Sequence, residues 1–298
     1  MTKHLSLRDA ALALAIVFVW GTNFVVIRLG LNVLPPLFFA TLRFTLVFLP
    51  AALILPRPKV SWGNMAVYGL AIGLGQFGML FIAMKGHISP GLASLVVQMQ
   101  VFFTIALSMA RNHEQLKRNQ IAACILALAG MGVIAANNGA GVTLIGIGLT
   151  LVAAMGWSLG NQASREAGSV NMLAYVVWSA LFAAPALLIL SLMIEGRGAI
   201  MAGLSRATWV TWGAVAWQSV GNTMFGYSCW AWLLSRYPTA TVAPLSLLVP
   251  VFGFGASALL LGEPLPLWKL GATALIMAGL AVNLFWKPRK ATVRGEAS

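Results

Sequence analysis

Charge is scarce in this sequence. Only 8% of its 298 residues are Asp, Glu, Lys or Arg, against about 25% in an ordinary soluble domain, and 60% are hydrophobic. A water-soluble fold of this length would lack the polar surface to cover itself, which excludes a soluble enzyme or binding domain. Acid is scarcer still. The six acidic residues, Asp9, Glu114, Glu166, Glu195, Glu263 and Glu296, and the three histidines, His4, His87 and His113, all fall at the ends of apolar runs or in tails. A carboxylate or imidazole deep in an apolar run, the common proton relay of driven carriers, is therefore missing, and a nucleophile inside the runs would have no base within reach. No G-x-x-x-x-G-K-[ST] loop occurs, which excludes a P-loop ATP motor. Cysteine is nearly absent: Cys124 and Cys229 sit in apolar runs without ligand spacing, so no disulfide, metal site or cofactor is expected.

Long apolar runs are what remain. The mean hydropathy is +0.88, and runs broken by Gly, Pro and charge predict spans near 10–29, 35–55, 63–84, 90–110, 118–136, 143–164, 171–193, 208–232, 239–261 and 267–286. Each approaches the roughly 20 residues that a helix needs to cross about 30 Å of hydrocarbon. The basic start followed by an apolar run resembles a signal peptide, but so many equivalent runs follow that Ala10 onward is read as the first permanent span. A net charge of +13 would suggest nucleic acid in a soluble protein; here it reports topology, and no nucleic-acid partner is expected. With the N-terminus cytoplasmic, thirteen basic residues lie in inside segments and five, Arg28, Lys85, Arg197, Arg206 and Lys269, outside. The positive-inside rule then places both termini in the cytoplasm.

The chain also repeats. Trp20 to Arg28 and Trp157 to Arg165 share one spacing, Pro50 to Leu55 returns as Pro185 to Leu190, and Gly75-Gln76 is matched by Gly221-Asn222. Val101-Phe102 corresponds to Val251-Phe252, and Ala129-Gly130 to Ala278-Gly279. Residues 1–138 and 142–288 are therefore read as two five-helix repeats, with 289–298 a polar cytoplasmic tail. Five is odd, so the second half enters the membrane from the opposite side. Such inverted repeats commonly hold a solute near the midplane and work by alternating access, and the fold class expected is an all-α integral membrane protein with a central cavity.

The segments Val19 to Ile27, Leu42-Arg43-Phe44, Val242 to Val251 and Gly262-Glu263, in this order and spacing, resemble the EamA-type branch of the drug/metabolite transporter superfamily, in particular its amino-acid metabolite exporters. The counterpart of Gly262-Glu263 in the first half is His113-Glu114, where the glycine is lost. The resemblance implies a multi-pass bacterial inner-membrane exporter with a cavity lined mainly by spans 1, 3, 4, 6, 8 and 9, and relatives that export cysteine and its acetylserine precursor, aromatic amino acids or threonine. It implies a small-molecule substrate and a lipid bilayer as the partners, and is compatible with a monomer. Multidrug export is the alternative, disfavoured because lipophilic cations usually call for a buried carboxylate; an intramembrane enzyme lacks its base. With no relay in the spans, export is expected to run down the solute's gradient or to couple through a group at a helix end.

Arg43 is the one charge deep in a predicted span, roughly 12 Å below its outer end at 1.5 Å per residue. Two readings stand: contact with a substrate carboxylate, or a staple to another helix. The neutral amides Asn23, Gln76, Gln98, Gln100, Asn161, Gln218 and Asn222 are cavity candidates or inter-helix glue, since a buried amide without a partner costs about 1–3 kcal/mol. Gln98 and Gln100 stand about 200° apart on an α-helix and are not expected to share one narrow cavity. Trp20 with Phe24, Trp157 and Trp178 complete the candidates, as an aromatic wall suited to neutral or zwitterionic solutes, with ordinary packing the alternative. Pro244 and Pro250 are hinges or static bends, and the pairs Gly69/Gly73 and Gly156/Gly160 invite close helix approach.

Overall fold

The computed structural model describes residues 6–112, 118–237 and 239–286, and these are helical with short connections. The helices are α1 (Leu7–Leu31), α2 (Pro36–Ala52), α3 (Trp62–Met84) and α4 (Pro90–Val96 and Gln100–Asn112, joined by the 3-10 turn Val97–Met99). Then come α5 (Arg118–Ala136), α6 (Leu144–Glu166), α7 (Met172–Leu190) and the short α8 (Gly196–Ser205). α9 consists of Trp209–Ala216 and Gly226–Arg236 around the π-helical turn Trp217–Phe225, α10 of Thr239–Val242 and Leu248–Leu261 around the 3-10 turn Ala243–Leu247, and α11 is Leu267–Phe285. One isolated bridge, Ile88 with Val142, is the β pairing among the described residues. His113, Glu114 and the tail 289–298 lie outside them.

Local chemistry sets the ends. Ser6, Ser61, Thr143 and Asn171 accept the backbone N–H three residues on at the starts of α1, α3, α6 and α7, which satisfies donors that have no partner within the helix. Pro36 and Pro90 occupy first helical positions, where no N–H is needed. Two carboxylates cap helices other than their own. Glu195 accepts from the N–H groups of Leu37 and Phe38 at 2.6 and 3.0 Å. Glu263 accepts from Gly91 N at 3.1 Å and from Ser89, and pairs with the buried Lys269 at 2.8 Å. One apolar run yields two helices: the span expected at 171–193 continues through a π turn, Ser191–Glu195, and breaks at Gly196, whose φ of +79° suits a residue without Cβ.

Among the described residues seven helical stretches are long and apolar enough to cross a bilayer, Leu7–Leu31, Trp62–Met84, Pro90–Leu107, Arg118–Ala136, Leu144–Glu166, Met172–Ser205 (α7 and α8 taken together) and Leu267–Phe285; Pro36–Ala52 and Leu245–Leu261 are shorter apolar helices. Large apolar side chains such as Ile125, Leu128, Leu259 and Leu267 are more than half exposed around the outside, a surface that hydrocarbon tolerates and water does not. This is a multi-pass membrane protein. Its main packing pairs join residues before the 137–141 linker to residues after it: α1 with α10, α2 with α7, α3 with α6, α4 with α10 and α5 with α11. At the α3–α6 crossing a Cβ on Gly156 would lie 2.6 Å from the Gly75 carbonyl carbon, so the backbones touch.

Candidate solute cavity

A cavity of about 410 Å³ lies among α1, α3, α4, α6, α9 and α10. α1 supplies Trp20, Asn23 and Phe24, which share one helix face by their spacing. Gln76, with Phe77, comes from a π-helical turn in α3, Ala71–Gly78, and Asn222 from the π turn of α9. A π turn inserts a residue into the helical register and often marks a functional place. Trp157 and Asn161 come from α6, and Ser246 and Val249 from α10.

Gln98 and Gln100 both line the cavity, contrary to the helical-wheel expectation. The 3-10 turn Val97–Met99 breaks the register on which that expectation rested. The Gln100 carbonyl near this break accepts from Ser158 Oγ at 2.8 Å, which ties α4 to α6.

Two candidates lie elsewhere. Trp178 donates to the Leu55 carbonyl at 3.1 Å and meets Phe48 and Trp62 edge to face, so it joins α7 to the end of α2 and does not face the cavity. Gln218 is fully buried behind the wall, where its Nε2 donates to Asn23 Oδ1 at 2.6 Å. Arg43 also does not line the cavity. Its side chain is fully buried, Nη1 donates to Gln218 Oε1 at 2.7 Å and Nη2 to Thr223 Oγ1 at 2.8 Å, and the guanidinium lies 3.5 Å over the Phe77 ring. Its Nε finds no acceptor among the described residues. Pro250 is buried early in the Leu248–Leu261 segment of α10, beside the 3-10 turn that already interrupts the hydrogen-bond ladder; the Pro244 side chain lies outside the described residues.

The sequence reading did not select Phe77, Tyr227, Trp230, Ser164 and Arg165, all of which line the cavity. Tyr227 and Trp230 cluster with Trp20, at ring separations of 5.9 and 5.1 Å, and Trp20 Nε1 reaches the Asn222 carbonyl at 3.4 Å. Phe77 adjoins a selected amide and Trp230 stands two helical turns past Asn222, so extending the amide faces would have reached them. Arg165 places one mouth of the cavity at the C-terminal end of α6. Among the described residues no Asp, Glu or His is in the lining, and no three His, Cys, Asp or Glu side chains gather as a metal would require. Gln76 Oε1 is a buried acceptor without a partner, available to a donor on a bound solute. The wall can thus stack an apolar group and donate and accept hydrogen bonds.

A multi-pass helical bundle around a polar and aromatic cavity defines a membrane solute carrier. The profile of the EamA-like transporter family matches residues 8–136 and again 144–285. The chain belongs to the EamA-like transporter family and is a membrane transporter, not an enzyme. It is 44% identical over 287 residues to a protein of Salmonella typhimurium named "Probable amino-acid metabolite efflux pump", covering 94% of this chain and 96% of that one. A protein of the same name in Escherichia coli K12 is 41% identical, with the same coverage. An "Uncharacterized inner membrane transporter YedA" of E. coli is 28% identical over 192 residues, covering 61% of each chain. A solved crystal structure matches the fold with a TM-score of 0.60 at 20% identity, over 92% of this chain and 96% of the other.

Proposed function

We propose that this protein exports amino acids and related small zwitterionic metabolites across the bacterial inner membrane by alternating access. The observation that carries the reading is a cavity walled by amides and indoles, with no carboxylate among its described lining residues to hold a lipophilic cation. The names of the two similar efflux pumps favour the same substrate class.

The working unit is ten spans in two inverted halves, 1–138 and 142–288, with both termini and the tail 289–298 in the cytoplasm. The family profile matching twice favours the halves. So does the recurrence of π turns at the related Gln76 and Asn222, and of 3-10 turns in α4 and α10. One shallow pocket gathers Arg28 and Asn32 at the end of α1 with Thr143 at the start of α6, as antiparallel repeat partners require. In this orientation the Arg165 mouth faces the cytoplasm, and Glu195 and Glu263 tie helix ends on the outer side, a state ready to load. Asn23, Gln76, Gln98, Gln100, Asn161 and Asn222 then meet the solute's polar groups, Trp20, Phe24 and Trp157 its apolar part, and Pro250 sits where α10 bends between states.

Counterflow of labelled amino acids in proteoliposomes tests the reading. Saturable uptake of amino acids with apolar or aromatic side chains is expected. Uptake of lipophilic cations with none of any amino acid would overturn it.

A further inference from the structure

The cavity wall conceals a directed hydrogen-bond chain. A guanidinium has only donors, so the group of Gln218 that meets Arg43 Nη1 at 2.7 Å must be the carbonyl oxygen Oε1. Gln218 then turns its Nε2 toward Asn23, at 2.6 Å, and the atom that receives it must be the acceptor, Oδ1. Asn23 lies on the cavity wall. With Oδ1 taken, the group it offers the cavity is the Nδ2 amide, a donor. The charge of Arg43 fixes both amide orientations, and the aligned dipoles carry its positive potential to the wall, where chained hydrogen bonds polarise one another.

The anchor is built for this. Arg43 is fully buried, and the groups that its guanidinium meets are neutral: Gln218 Oε1, Thr223 Oγ1 and the faces of Phe77 and Phe44. The ion pair of Lys269 with Glu263 lies at another place in the fold. The π turn Trp217–Phe225 holds the device together. It puts Gln218, Ser219 and Thr223 on the Arg43 side, with Thr223 Oγ1 donating to the main-chain carbonyl of Gln218 and Ser219 Oγ to that of Arg43, while Asn222 of the same turn faces the cavity.

We infer that Asn23 is the specificity-determining contact for the solute's carboxylate, with Arg43 and Gln218 as positioning residues that fix its amide as a donor. The inference rests on the amino-acid reading above and names which part of the amino acid is recognised, and where.

The test compares two probes, L-phenylalanine and phenethylamine, which share the ring and the ammonium and differ in the carboxylate. Competition of each against labelled L-phenylalanine counterflow yields its half-saturation constant. Wild-type protein should prefer phenylalanine by roughly 10- to 100-fold, the value of one hydrogen bond to a charged group. Gln218→Glu keeps size and supplies a partner for Arg43, but offers acceptors only. Asn23 must then turn Nδ2 inward and present Oδ1 to the cavity. The half-saturation constant for phenylalanine should rise by a factor in that range while that for phenethylamine holds or falls, and the preference should vanish or invert.

Asn23→Ala, which leaves the Arg43–Gln218 bond in place, should also erase the preference, and Arg43→Lys should retain more of it than Arg43→Gln. Monodisperse elution from detergent establishes that each variant is folded. Counterflow with the wild-type preference intact in folded Gln218→Glu and Asn23→Ala overturns the relay and leaves the exporter reading standing. So does an equal loss for both probes, the mark of a merely structural role. Absence of amino-acid transport by the wild type overturns the exporter reading and takes the assigned carboxylate with it.

Discussion

Replacing Gly156 by alanine isolates what holds the cavity wall in place. Its added Cβ would lie 2.6 Å from the Gly75 carbonyl carbon and 2.7 Å from both the Ala71 oxygen and the Gln76 nitrogen. All three are backbone atoms, so no side chain can swing aside. Ordinary contact begins near 3.4 Å, so α3 and α6 must separate by roughly an ångström. Forced overpacking of this kind costs about 1–3 kcal/mol. Because Gln76 lies on one helix and Trp157 and Asn161 on the other, the same movement widens the cavity. Gly75→Ala is milder, since its Cβ would meet the Gly156 Cα at 3.2 Å. Gly148→Ala, on the same α6 with nothing within 4 Å, should be neutral or slightly stabilising through helix propensity. Thermal unfolding in detergent should rank the three Gly148→Ala, Gly75→Ala, Gly156→Ala in falling stability, with transport affinity lowered most in the last. A Gly156→Ala protein as stable as Gly148→Ala would refute the backbone contact.

Glu263→Ala leaves the ammonium of Lys269 buried without its carboxylate, a loss of about 3–5 kcal/mol for a broken buried pair; Glu263→Ala with Lys269→Met should recover part of the lost thermal stability, and no recovery would argue against the pair. Trp20→Phe, which loses the bond to Asn222 and an indole on the wall, should raise the half-saturation constant, whereas Trp178→Phe should leave it unchanged and lower stability by about 1 kcal/mol for the lost bond to Leu55. Pro250→Ala restores a backbone donor just past the 3-10 turn of α10 and should slow exchange without weakening solute affinity; a parental rate in single-turnover flux would mean that Pro250 is no hinge.

How much of this was legible in the sequence depends on what each residue's neighbours encode. Trp20–Asn23 and Trp157–Asn161 could be read because helical spacing alone puts an indole and an amide on one face. The recurrence of the Trp20 to Arg28 spacing at Trp157 to Arg165 was the sequence signal that paired them, and all four line the cavity. Trp178 misled because depth along an apolar run says nothing of which face meets which neighbour; its indole is taken by the Leu55 carbonyl just past the end of α2. Gln218 and Asn222 illustrate the hidden part. Four residues apart, they should share a face on an α-helix, yet one sits behind the wall and one on it, because the π turn rewinds the register between them. Neither hydropathy nor a 3.6-residue period carries a signal for such a turn. The 3-10 turn between Gln98 and Gln100 escaped for the same reason.

Gln218→Glu also decides why an arginine is buried behind the cavity wall with a neutral partner. If Arg43 served only to staple α2 to α9, a carboxylate would be the better partner, because it adds the attraction of an opposite charge to a hydrogen bond that the guanidinium already makes to glutamine. Here it would also neutralise a cation already removed from water. The neutral glutamine leaves that positive charge uncompensated, a cost to the bundle. Unpaired charge retained beside a binding cavity has a use when the ligand supplies the opposite charge, and stability is then lowered for the sake of affinity. Gln218→Glu should therefore raise thermal stability, by on the order of 1 kcal/mol for the stronger bond, while it weakens binding of amino acids. Melting in detergent and half-saturation in proteoliposomes, measured on the same preparation, should move in opposite directions. A variant that loses stability and affinity together would mean that Gln218 and Arg43 are ordinary packing, and that the neutral partner at this position carries no significance for the solute.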